Sequence, residues 1–337
     1  MNNTTNTSEL GSNLDYWFSY FGVTFELDVL YMYILTIFSL LSFCLNSLVF
    51  KVLLKLKFNL SIIYSYFRLY IFNSLIISIL LMTTFIGNTY RTFRFTSTYL
   101  ALAFAIYGNT PLLSTFYFYS TLLEIVIIIE RTEKFIRPKY RCLRKFSFNK
   151  ICIGTFLFSL VLNFPTFFNY HPDFSDVQLE DSSTFRIYYW ALSDYSNSLL
   201  GTILSFTIYI IRDFLFLVLK IALNVYSVYL IKKYLAKKKK VPVSGINVVE
   251  ENHVNQDYIT KTDRNLIHMV IIMSIISIFE NIFYGVAYAY YSTAYDIPSV
   301  YVSCISYIIL AVKHGSNFFV FFFFNNLFRI EFEKKGY

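Results

Sequence analysis

Seven stretches of the chain, roughly 30–54, 62–87, 100–130, 149–168, 199–231, 265–290 and 298–324, are each long and apolar enough to cross a bilayer. A hydrocarbon core of ~30 Å takes ~20 residues of helix at ~1.5 Å each. No water reaches that core, so every backbone N–H and C=O must bond within its own segment, and an apolar span becomes a helix. The pattern therefore predicts an all-α membrane protein, a seven-transmembrane helix bundle. Composition agrees: 15% of residues are charged, against ~25% in a soluble domain. A water-soluble globule is excluded, because so few charges cannot coat its surface. The 38 Phe and 30 Tyr exclude a disordered chain. The third and fifth stretches exceed the minimum and are expected to tilt or to extend beyond the membrane. No internal repeat is visible, which gives no support to an inverted-repeat transporter.

Charge orients the bundle. Of 29 Lys and Arg, 23 fall in the segments after spans 1, 3, 5 and 7. The opposite face has only Arg91, Arg94 and Arg186, while Arg212, Lys220 and Lys313 lie within spans. This split predicts an extracellular N-terminus and a cytosolic C-terminus. Ten of the 21 acids fall on the outer face, so the net +8 is directional, and no nucleic-acid partner is needed to account for it.

Three regions follow. Residues 1–29 are expected to be an extracellular, glycosylatable tail with overlapping sequons at Asn2, Asn3 and Asn6. The tail lacks an apolar signal core, so span 1 is expected to act as an uncleaved anchor. Residues 30–324 form the bundle, with a third cytosolic loop over about 232–262. That loop carries Lys237 to Lys240, followed by Pro242 and Gly245, which mark a flexible connector. The Lys run suits either anionic lipid or a protein partner. Residues 325–337 are expected to form a short amphipathic eighth helix and a tail inside the cell. In this region Phe324, Leu327, Phe328 and Phe332 share one face, as in a helix lying along a membrane. Cys44 and Cys304 lie in spans, and Cys142 and Cys152 at the cytosolic edge. No outer loop holds a cysteine, so no extracellular disulfide is expected.

Local patterns narrow the class. Span 1 contains Leu45-Asn46-Ser47-Leu48-Val49, a lone Asn among apolar residues. Span 3 ends in Ile129-Glu130-Arg131-Thr132. Span 7 ends in Asn317-Phe318-Phe319-Val320-Phe321 and runs on to Phe328-Arg329. In joint position and spacing these resemble a divergent rhodopsin-like (class A) G-protein-coupled receptor, over roughly residues 28–332. Asn46 matches that family's span-1 Asn. Glu130-Arg131-Thr132 looks like its Asp/Glu-Arg-Tyr motif, with Thr for Tyr. Asn317 to Phe321 looks like its Asn-Pro-x-x-Tyr motif, with Phe at the Pro and Tyr positions. Phe328 matches the aromatic of the eighth helix. The departures are Asn73 at the span-2 Asp, Ile106 at the usual disulfide Cys, Phe279 to Phe283 for the span-6 Cys-Trp-x-Pro, and a span 5 without Pro. The resemblance implies an activation switch and G-protein coupling through Glu130, Arg131, Asn46, Asn317 and Phe321, with a heterotrimeric G protein as cytosolic partner.

Ionisable residues inside a membrane are functional candidates, since a charge there costs at least ~2.5–3.5 kcal/mol. Lys313 lies four residues before Asn317. In the resembled family this level is a polar pocket that often holds a sodium ion against the span-2 Asp. The expectation here is that the Lys313 ammonium stands in as a tethered cation. Asn73, Ser120 and Asn317 would line the pocket, with Glu280 as the carboxylate partner and Glu124 as second choice. The alternative is a Lys313 that snorkels or sits neutral. Lys220 has no evident partner.

Ligand-binding candidates at the outer end are Tyr117, Tyr288, Tyr307 and the Arg212-Asp213 pair. Aromatic walls with one cation suit a peptide, an acid or an amphipathic small molecule. The Tyr residues suit helix packing or an interfacial belt equally well. Opsins carry their retinal Lys where this chain has Ala311, and amine receptors carry an Asp where it has Leu113, so neither ligand class is expected. No catalytic residues, metal or cofactor are expected: the four His show no metal-pair spacing, and there is no Gly-rich phosphate loop. The expected function is a plasma-membrane receptor that passes binding of an extracellular ligand to a G protein. The alternative is a channel or transporter with Lys313, Glu280, Glu124 and Lys220 lining its pathway.

Overall fold

The structure, a computed structural model, describes residues 33–55, 62–92, 99–133, 143–178, 184–239, 265, 268–286 and 297–334. Asn2, Asn3, Asn6, Tyr288 and most of the 232–262 connector lie outside the described residues.

Seven helices among them are long and apolar enough to cross a membrane, and the chain is a multi-pass membrane protein. They are α1 (Tyr33–Lys55), α2 (Ile62–Thr92), α3 (Phe104–Glu133), α4 (Phe148–Phe168), α5 (Leu199–Leu230), α6 (His268–Val286) and α7 (Ile297–Phe324). All seven apolar stretches of the sequence are accounted for, and α3 and α5, the third and fifth, have 30 and 32 residues. A short helix, α8 (Asn326–Glu333), follows α7 after the single residue Asn325. The Asn325 side chain makes the corner: its Oδ1 accepts the Phe328 N–H at 3.1 Å, capping the first turn of α8.

Among the described residues, the departure from an all-α chain is an antiparallel hairpin between α4 and α5. Strands β1 (Tyr170–Gln178) and β2 (Thr184–Leu192) pair with Tyr170 opposite Leu192 and Gln178 opposite Thr184. Pro165 lacks an N–H, and α4 tightens into a 3-10 turn over Phe164–Phe168 before the hairpin. After β2, Ser193 and Ser198 cap two successive helix starts, accepting the Ser196 and Gly201 N–H groups at 3.1 and 3.0 Å. The second corner is so tight that a Cβ on Gly201 would stand 1.9 Å from the Tyr195 carbonyl oxygen.

α3 is the central helix, buried along most of its length, while α4 and α5 leave most of their surfaces to the lipid. The interior is layered. An apolar cluster near the Arg131 end includes Val49, Phe67, Ile71, Leu123, Ile127, Met273, Phe321 and Phe328. A second, near the hairpin end, includes Leu35, Ile77, Leu81, Leu113, Leu310 and Ala311. Between them lie Ser42, Asn46, Ser74, Glu124, Lys313, His314 and Asn317, all buried. Of the functional candidates, Asn46, Glu124, Lys313 and Asn317 occupy this polar layer.

Candidate functional site

In the polar layer, four charged side chains converge from four helices: Glu124 (α3), Lys220 (α5), Glu280 (α6) and Lys313 (α7). None is more than 3% exposed, so protein groups must replace the lost water. Glu124 is the hub. Its Oε2 contacts the Lys220 ammonium, and its Oε1 lies 3.2 Å from Lys313 Nζ. The same Oε1 accepts the Tyr70 hydroxyl of α2 at 2.8 Å. Lys220 also donates to Ser277 of α6. Glu280 is less well served. Among the described residues its ion-pair partner is Lys313, at 3.9 Å, and its two oxygens accept no hydrogen bond.

This reverses the order expected from the sequence. Lys313 lies nearer Glu124 than Glu280, and Lys220, left without a partner, is held by Glu124 and Ser277. The reason is helix rotation. Glu124 faces the bundle axis where α2, α5 and α7 all reach it, and sequence spacing along single helices does not report that angle. The Lys313 ammonium also sits 6.0 Å from the centre of the Tyr117 ring, within cation–π range. At an effective dielectric constant of ~20, attraction over the 3.9 Å to Glu280 is about 4 kcal/mol. Removing a carboxylate from water costs several kcal/mol, so the two terms at Glu280 are of similar size.

The other expected members of this pocket are distributed differently. Asn73 donates to the Phe116 carbonyl at 2.9 Å, tying α2 to α3. Ser120 is fully buried in α3. Asn317 is directed instead at α1 and α2. Its amide lies 3.4 Å from Asn46 Oδ1 and 3.3 Å from Ser74 Oγ. Asn46 in turn donates to the His314 carbonyl at 3.0 Å and to the Ser42 carbonyl at 2.9 Å. His314 Nδ1 meets Ser74 Oγ at 2.9 Å, and Ser42 meets Ser78 at 3.0 Å. Ser74, adjacent to Asn73, is thus the α2 residue at this junction. Ser74 and His314 were not legible as site residues, because a Ser or His in an apolar run carries no sign of which helix it faces.

Near the hairpin end, Arg212 and Asp213 lie in a π-helical turn of α5, Ile210–Leu215. A wider turn brings neighbours closer in angle, so both consecutive side chains point inward. Two parallel bonds join them, Nε to Oδ1 at 2.9 Å and one NH2 nitrogen to Oδ2 at 2.7 Å. Arg212 also donates to Asn163 Oδ1 of α4 at 3.1 Å. The pair, expected as a ligand-binding candidate at the outer end, is buried, at 7% and 5% exposure. Tyr117 is also buried, and its hydroxyl bonds to Asn281 Oδ1 of α6. Its ring packs 5.2 Å from that of Tyr284. Tyr307 is partly buried against the Leu113–Leu310 cluster.

Comparison with protein-family models and with curated proteins finds no match.

At the other end of α3, Glu130 and Arg131 are both buried at 3% exposure. Thr132 bonds to Ser227 of α5, and Glu133 accepts the Leu143 N–H at 2.8 Å, fastening the segment that leads into α4. Phe321 is fully buried, its ring edge-on to Phe67 at 5.2 Å and 5.7 Å from Phe328 of α8. Chemically, the bundle combines two contrasting polar joints. One is a neutral amide, hydroxyl and imidazole junction of α1, α2 and α7. The other is a charged junction that joins α6 to α3, α5 and α7.

Proposed function

We propose that this chain is a divergent rhodopsin-like G-protein-coupled receptor of the plasma membrane. The N-terminus and the hairpin face outside, Arg131 and the membrane-lying α8 face the cytosol, and Asn2, Asn3 or Asn6 carries glycan. The supporting observation is the junction of Asn46 and Asn317, 271 residues apart, at 3.4 Å. These are two of the residues that the motif resemblance singled out independently, one in the first span and one in the last.

In this reading a peptide or small chemosensory molecule binds toward the hairpin end. It acts on α6, which is held by three polar contacts within five residues: Ser277 to Lys220, Glu280 to Lys313, and Asn281 to Tyr117. Each lies on the buried face of α6, while Phe279, Ile282 and Phe283 face outward. Ligand binding favours a second packing in which these contacts are rearranged. A G protein at the Arg131 end favours the same packing, and the coupling is reciprocal.

The deciding experiment expresses the chain in cells and screens peptides and amphipathic small molecules for nucleotide exchange on a G protein. A response abolished in Arg131→Ala, with surface expression retained, is expected. A response that persists in Arg131→Ala overturns the coupling role. A tag at residue 1 that stains only after permeabilisation overturns the orientation. The four buried charges also favour a second reading, an ion channel or transporter, because such groups line conduction paths. A ligand-evoked current that survives G-protein blockade and is altered by Lys313→Met would select it.

A further inference from the structure

From the accounting of contacts in the charged junction, we infer that Glu280 is a proton-binding site, occupied in this packing of the bundle, and that its occupancy depends on which carboxylate Lys313 pairs with.

The titratable groups at this junction include His314 of α7, whose Nδ1 meets Ser74 Oγ at 2.9 Å. Glu124 and Tyr117 come from α3, Tyr70 from α2, Lys220 from α5 and Lys313 from α7. The donors are distributed unevenly. Glu124 receives both ammonium groups and the Tyr70 hydroxyl. The Tyr117 hydroxyl, beside Glu280, donates to Asn281 Oδ1. Glu280 is 1% exposed and has neither a hydrogen-bond donor among the described residues nor a cation within direct hydrogen-bonding distance. An ionised carboxylate in such a place has lost its water and gained in exchange only the attraction of Lys313 at 3.9 Å, and a proton on it removes the desolvation penalty.

Charge balance acts in the opposite direction. With Glu280 ionised the four residues sum to zero, and with Glu280 protonated they sum to one positive charge. The opposed terms leave the site responsive to small movements. Lys313 is 3.2 Å from Glu124 and 3.9 Å from Glu280, so a shift of under an ångström decides which carboxylate it serves. With Lys313 on Glu124, Glu280 holds its proton. With Lys313 on Glu280, the carboxyl O–H bond breaks, the pair of electrons stays on oxygen, and the proton passes to water as hydronium. Because Glu280 lies on α6 and Lys313 on α7, proton occupancy reports the relative position of those helices. The bundle would then respond to pH as well as to ligand.

The test is infrared spectroscopy of the full chain in lipid nanodiscs, in H2O and D2O, across pH. The wild type is expected to show a buried carboxylic-acid carbonyl band that shifts on deuteration and disappears as pH rises. Glu280→Gln should lack that band. Lys313→Met removes the cation that favours the ionised form. Its band should therefore persist to higher pH, by about one unit or more, a tenfold or larger change in proton affinity. If Lys313→Met does not fold, Lys313→Arg serves instead: its guanidinium reaches farther toward Glu280, and the band should vanish at lower pH. No band in the folded wild type overturns the inference. So does a band that survives Glu280→Gln, or a titration indifferent to both Lys313 variants. The readout requires neither ligand nor G protein, so its failure leaves the receptor reading standing, and failure of G-protein activation leaves the proton site standing.

Discussion

Replacing Glu124 by Gln should destabilise the bundle far more than replacing Glu280 by Gln, although the two residues have the same chemistry and equal burial. Glu124 touches Lys220, lies 3.2 Å from Lys313 and accepts Tyr70 at 2.8 Å. Removing its charge leaves two ammonium groups in the core, with Ser277 for Lys220 and the more distant Glu280 and the Tyr117 ring for Lys313. Breaking a buried ion pair on one side costs about 3–5 kcal/mol, and a hydrogen bond to a charged group is worth about 1.5–3 kcal/mol. Glu124→Gln should therefore cost at least 3 kcal/mol or so. Among the described residues Glu280 forms one ion pair, at 3.9 Å, and accepts no hydrogen bond; its attraction to Lys313 and its desolvation nearly cancel, so Glu280→Gln should cost under about 1 kcal/mol.

The assay is thermal or denaturant unfolding in one lipid or detergent system, with each glutamate also crossed against its lysine. Glu124 with Lys220 should be strongly coupled in a double-mutant cycle, and Glu280 with Lys313 weakly. Equal costs for the two Gln variants, or stronger coupling for Glu280 with Lys313, would refute the hub assignment.

Asn46→Ala should cost about 1–3 kcal/mol, because it removes the bonds to the His314 and Ser42 carbonyls and leaves the Asn317 amide with Ser74 alone. Ser47→Ala, which loses only a local bond to Phe43 in the same helix, should be near neutral in the same unfolding assay. Gly201→Ala should destabilise by about 1–3 kcal/mol, as its Cβ would meet the Tyr195 carbonyl, whereas Gly154→Ala has open space and should not. Arg212→Lys should lower the unfolding midpoint despite keeping the charge, because an ammonium cannot make both parallel bonds to Asp213 and also reach Asn163. An unchanged midpoint would mean that the π-helical turn does not depend on that fork.

The seven spans were legible because the bilayer imposes a length and a polarity that can be read residue by residue. Lys313, Glu280 and Glu124 were legible as candidates for the same reason: a charge in such a run stands out. Partner choice was not legible. Lys220 and Ser277 sit on different helices whose rotation about their axes hydropathy does not report, and two Glu residues at similar depth look alike in sequence. The Arg212-Asp213 pair was visible, but its burial depended on a π-helical turn and on Asn163, 49 positions away. The hairpin was missed because β1, Tyr-His-Pro-Asp-Phe-Ser-Asp-Val-Gln, lacks a clean two-residue alternation and carries a Pro.

By itself the sequence determined that the chain lives in lipid as seven helices, because unsatisfied backbone is too costly there for any other course. Only the tertiary structure decided that Glu124, rather than Glu280, is the residue the lysines share. That choice rests on differences of under an ångström between side chains of four helices, set by how the helices pack and rotate against one another.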